Sequence, residues 1–162
     1  MRLFMVGLMV CLIALGFAGR ALADDAYIDT TFTTLYPQQF THDDKDPYKG
    51  WAWVNVYNDT DEYWTDFHFE IFSVEGSNIS ATIFIDDYPS HTPTSSQSGL
   101  SWTINNDPAG AQMDLFFAAD PVAPDSPASF KVYTSNITYR QKFGLEVYPT
   151  VPEPSSLLAF SA

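Results

Sequence analysis

The chain has 162 residues, with 20 acidic side chains against seven basic ones and a formal net charge of −13. So acidic a surface repels phosphate backbones and anionic headgroups, which argues against nucleic-acid binding and against docking on acidic lipid. With one cysteine and 16% aromatic residues, the fold must rest on an aromatic core and not on disulfides.

At the start, Met1-Arg2 precedes an apolar run from Leu3 to Ala18, followed by Gly19-Arg20 and then Ala21-Leu22-Ala23. A basic start, an apolar centre and small residues at Ala21 and Ala23 predict a signal peptide over 1–23, cleaved before Asp24. The 16-residue run is shorter than the roughly 20 needed to span a bilayer, which disfavours an uncleaved membrane helix. Cys11 follows Val10 inside the apolar centre, a context unsuited to lipid attachment, and it leaves with the signal. Removing 23 residues leaves 139, the size of one domain with one core. Arg2 and Arg20 are lost as well, so five basic residues face 20 acidic ones in a mature chain that lacks any thiol.

From there on, apolar and polar residues alternate with period two, and helical periodicity is absent. Strands are expected over "AYIDTTFTTLY" (26–36), "WAWVNVYND" (51–59), "TDFHFEIFS" (65–73) and "NISATIFID" (78–86). Four more follow in "LSWTI" (100–104), "MDLFF" (113–117), "SFKVYT" (129–134) and "YRQKFGLEVY" (139–148). Between them lie turn-forming clusters of Gly, Pro, Asn and Asp at 43–50, 58–62, 74–78, 105–110 and 120–127, with a longer Ser/Thr/Pro loop at 86–99. The pattern predicts an all-β fold, a single antiparallel β-sandwich of about eight strands over residues 24–150.

The chain closes on "VPEPSSLLAFSA" (151–162), where two prolines stop the last strand and an apolar run begins. Val151-Pro152-Glu153-Pro154 followed by two serines and two leucines resembles the PEP-CTERM sorting signal of Gram-negative bacteria. The resemblance implies an exported protein handled by an exosortase-type processing enzyme and associated with exopolysaccharide and biofilm at the cell surface. It also implies a transmembrane helix and an arginine-rich end. Eight residues follow Pro154 here, about 12 Å of helix against a hydrocarbon core of about 30 Å. Either the signal continues past Ala162, giving transient membrane association, or it has decayed. The stretches "WVNVYNDTDEYWTDFHFEIFS" and "VYTSNITYRQKFGLEVYPTVPEP" are similar to the β domains such proteins carry, a likeness that brings no activity with it.

Few residues suggest chemistry. Asp66, His68 and Glu70 share one strand face, and such a face is polar in any half-buried strand, so solvation is the preferred reading. Asp43, Asp44 and Asp46 in "HDDKD", and Asp59 and Asp61 in "NDTDE", offer oxygen ligands for Ca²⁺ without the spacing of an EF-hand loop. No cofactor is otherwise implied. The sequence contains no Ser-His-Asp pattern, P-loop or zinc motif, and its histidines at 42, 68 and 91 stand in unrelated contexts, so a non-catalytic protein is expected. Asn58, Asn78 and Asn136 open N-glycosylation sequons, coincidental in a bacterial host.

Trp51, Trp53 and Tyr57 alternate on one strand face, with Tyr63 and Trp64 just beyond. Aromatic rows can stack on sugar rings, or they can be core. The core reading is preferred, because large rings supply most of the burial in a small domain, leaving Ala52, Val54 and Val56 facing water. Two functions therefore stand: a non-catalytic surface or matrix protein, and a carbohydrate-binding module that uses Trp51, Trp53 and Tyr57.

Overall fold

A computed structural model of the chain describes residues 24–72, 74, 83–107, 110–136 and 142–151. The expected signal peptide and the segment from Pro152 onward lie outside these residues, as does the Asn78 sequon.

Ten strands and no helix make up the described chain. They are β1 (Ala26–Phe32), β2 (Gln38–Asp43), β3 (Lys49–Asn58), β4 (Asp66–Phe72), β5 (Ile83–Asp86), β6 (Thr94–Ser95), β7 (Ser101–Asp107), β8 (Gly110–Phe116), β9 (Ser126–Asn136) and β10 (Lys142–Thr150). One sheet has the order β1-β3-β9-β5, with β6 also paired to β9; the other runs β2-β10-β4-β8-β7. All eight expected strands are represented among the described residues, while residues 78–82 and 139–141 of two of them, and 73 of a third, lie outside those residues. The two additions are β2, which carries Asp43 out of the expected turn, and β6, a two-residue rung within the 86–99 loop.

The expectation of wholly antiparallel sheets is corrected at one edge. β1 runs parallel to β3, from Ala26 opposite Ala52 to Phe32 opposite Asn58. Between them the chain enters the other sheet as β2, and this excursion supplies the long connection that a parallel pair requires. β10 continues through Pro149, which lies past the last β2 partner, Val147, so no ladder bond on that side is lost. Val151, grouped with the tail in the sequence reading, instead packs against the core.

Which face of β3 is buried is the second correction. Ala52, Val54 and Val56 point into the core, while Trp51 and Trp53 are half-buried on the other face and Tyr57 is 39% exposed. The reason is volume. Phe130 of β9 stacks on Phe67 of β4 with centroids 4.4 Å apart, and Phe69, Phe117 and Phe32 gather edge-on or tilted around that pair. At the density of a protein interior, rings supplied by β4 and β9 leave room only for small side chains on β3. Trp64, by contrast, is wholly buried, bridged to Val122 and set edge-on to Phe32.

Gly144 has a packing role. It pairs with Phe72, whose ring lies where a Cβ at residue 144 would stand.

Phe130→Ala should cost about 3–5 kcal/mol, as expected for a large ring removed from a packed core. Urea denaturation measures this. A loss below about 1 kcal/mol would mean that the core is not organised around the Phe130–Phe67 pair.

Candidate functional site

The outer face of the first sheet is aromatic across three strands. The register aligns Tyr27 of β1 with Trp53 of β3 and Lys131 of β9, and, one rung along, Trp51 of β3 with Tyr133 of β9. Tyr27 is 71% exposed and lies nearly parallel to the Trp53 ring at 6.3 Å. Trp51 meets Tyr133 edge-on at 5.1 Å, and His91 stacks flat on Tyr133 at 3.6 Å. The Lys131 ammonium sits 3.9 Å from the centre of Trp51 and 4.0 Å from that of Trp53, within cation–π range of both. Asp25 accepts hydrogen bonds from the Trp51 amide at 2.9 Å and from the Trp53 indole N–H at 3.4 Å. The two indoles are thus held in fixed positions at the surface.

Beside them is an open groove of about 660 Å³ whose lining includes Asp29, Thr31, Asn55, Tyr57, Ser96 and Ser129. Asn55 donates to Asp29 at 2.7 Å, and the Tyr57 hydroxyl donates to the Asp125 carbonyl at 3.0 Å. A rigid aromatic surface next to amide, carboxylate and hydroxyl groups can present π-faces to C–H bonds and polar partners to hydroxyls.

On the second sheet, Asp66 and His68 join Asp114 of β8 and Thr150 of β10. His68 Nδ1 is 2.6 Å from Asp114, and its Nε2 is 3.3 Å from the Thr150 hydroxyl. A hydroxyl, an imidazole and a carboxylate in this order have the connectivity of a nucleophile relay. Here, however, the Thr150 hydroxyl is bonded to Asp66. Burial alone lowers the proton affinity of His68, but hydrogen bonds and charge from Asp66 and Asp114 outweigh it and raise the pKa above 6.5. Burial likewise works against ionised Asp66, yet His68 and Thr150 hold its pKa below the ordinary value. Tyr148 stacks on the His68 ring at 4.7 Å, its own pKa raised by burial and by Glu70, Asp114, Glu146 and Asp66. Glu70 belongs to the same strand face and lies opposite Gln112 and Glu146.

The acidic turns divide. Asp59 and Asp61 are exposed around a turn organised by Asn58, which is wholly buried. The Asn58 amide donates to the carbonyls of Glu62, Val122 and Ala123, and its oxygen accepts from the Thr60 amide and hydroxyl. Asp43 is exposed and lies 3.8 Å from Lys142; Asp46, also exposed, precedes a cis Pro47.

Asp44 alone of the five turns inward, at 6% exposure, and is joined by two residues that the sequence reading did not connect with it, Asp24 and His42. Their ligand atoms lie within 4.8 Å of one another, the one such group of three among the described residues. Burial raises the Asp44 pKa against the opposing effects of Asn136 and His42, and the neighbouring Asp24 adds to the rise. Period-two alternation predicts neither grouping: the His68 network joins three strands far apart in the chain, and Asp24 and Asp44 lie outside any strand. Lys131 and Tyr133 fall within the expected strand "SFKVYT", and their partners on β3 are set by strand pairing that local alternation does not encode.

No family model, curated protein or solved structure matches the chain.

The histidine network generates a pH dependence. A histidine whose folded pKa is raised binds its proton more tightly in the native state. Its contribution is therefore complete below about 6.5 and is lost as pH rises through the folded value. Melting midpoints should fall as pH increases from 6.5 upward, and His68→Gln should flatten that slope. Equal slopes in the two proteins would remove His68 from the account.

Proposed function

We propose that the chain is a non-catalytic, exported cell-surface or matrix protein whose domain is a β-sandwich and whose outer aromatic face binds polysaccharide. The sandwich reading is supported by a core cluster to which both sheets contribute, with Phe130 of one lying on Phe67 of the other. Export and exosortase-type sorting rest on the sequence of 1–23 and on Val151-Pro152-Glu153-Pro154. Association with exopolysaccharide follows from that resemblance.

The observation that carries glycan binding is the outward placement of Trp51, Trp53 and Tyr57, together with Tyr27 and the groove beside them. Lys131 holds both indoles and Asp25 the Trp53 indole before any ligand arrives, which reduces the ordering cost of binding. The acidic character of the chain favours a neutral glycan over a polyuronate, because like charges repel at the surface.

Because the rings are half-buried outside the core, Trp53→Ala and Trp51→Ala should each cost clearly less than the about 3–5 kcal/mol of a core ring and leave the domain folded. Both should nevertheless abolish retardation of the full chain in gels containing neutral exopolysaccharide. Unchanged retardation would eliminate the glycan reading and leave the matrix-protein reading standing.

Export is tested separately. The secreted form should begin at Asp24 on N-terminal sequencing, and a chain that keeps Met1 would remove the secretory reading.

A further inference from the structure

We propose that Asp24, His42 and Asp44 form a zinc site that fastens the segment before β1 to the turn between β2 and β3. His42 Nε2 is fully buried and has no hydrogen-bond partner. It lies 3.4 Å from Asp24 Oδ2 and 3.9 Å from Asp44 Oδ1. Ligands about 2.0–2.2 Å from a tetrahedral zinc stand roughly 3.3–3.6 Å apart, so the His42–Asp24 spacing already fits and the Asp44 spacing needs only a small adjustment.

The surroundings hold these three groups as metal ligands are usually held. Asn136 donates to Asp44 Oδ2 at 2.6 Å, leaving Oδ1 turned toward His42. The Lys45 amide donates to Asp24 Oδ2. Phe143 meets the His42 ring edge-on at 5.3 Å. Outer hydrogen bonds of this kind orient ligands and sustain their basicity. Gly50 gives Asp24 its seat, because a Cβ at residue 50 would collide with the Asp24 carbonyl, and the Asp24 amide donates to Lys49 at 3.0 Å. A small cavity of about 70 Å³ adjoins Asp24 and His42.

The donor set selects the cation. One imidazole and two carboxylates suit zinc or a similar first-row ion, whereas Ca²⁺ takes six to eight oxygens. A cation here would neutralise two neighbouring carboxylates, one of them buried, and would occupy the orphaned nitrogen. A hydrogen-bonded ion pair is the rival arrangement, and it would give His42 Nε2 the hydrogen-bond partner that this nitrogen lacks.

The test uses the full chain, stripped with chelator and titrated with ZnCl₂ alone. Calorimetry should give one equivalent bound, with a higher melting midpoint as zinc is added. His42→Gln and Asp44→Asn should each weaken binding at least about 10-fold, the lower end of the loss for even an outer-sphere partner. Imidazole ¹⁵N spectra of the unmutated protein decide the matter without relying on a folded variant. The His42 signals should move on zinc addition while those of His68 and His91 stay in place. Absence of saturable binding, unchanged affinity in the variants, or movement of His68 or His91 in place of His42 would overturn the proposal.

Discussion

The stacked pair of Phe130 and Phe67 is the contact on which the other parts depend. It joins the central strand of one sheet to a strand of the other, and three further phenylalanines lean on it. Because those rings fill the interior, β3 can offer the core only alanine and valine. Its tryptophans must then face outward. Core and candidate binding face are thus two results of one packing requirement, linked by the alternation of a single strand.

The outer face is ordered differently from the core. Inside, rings are fixed by crowding. Outside, Trp51 and Trp53 share a cation between them, and the Asp25 carboxylate bonds the Trp53 indole and the Trp51 backbone amide. Such a surface is rigid without being buried, which suits a ligand that must be met by flat, prearranged rings.

How much of this was legible in the sequence depends on distance along the chain. Each long strand announced itself locally, because its apolar residues recur every second position. The same pattern left the sense of β3 open, since both of its faces are apolar: Trp-Trp-Tyr on one, Ala-Val-Val on the other. Only the volumes of Phe67 and Phe130, contributed by other strands, decide between them. β2 was missed because its "QQFTHD" carries a single large apolar residue, Phe40. His42 and Asp44 were each noticed, one as an isolated histidine and the other as a turn acid. Their meeting with Asp24 depends on Gly50 admitting the Asp24 backbone beside β3, which no local pattern encodes.

Asn58 carries a consequence for making the protein. Its side chain is wholly enclosed and its amide nitrogen is committed to three carbonyls, so the folded turn has no space for a substituent there. Yet Asn58-Asp59-Thr60 is a formal acceptor for glycan transfer, which in a eukaryotic secretory pathway acts on the chain before it folds. A sugar attached at that stage would occupy the position that closes the turn, and the modified chain could not reach its native state. Expression in a cell that glycosylates would therefore divide the product into a modified, misfolded pool and an unmodified, native one. The buried asparagine makes the choice of host a folding variable.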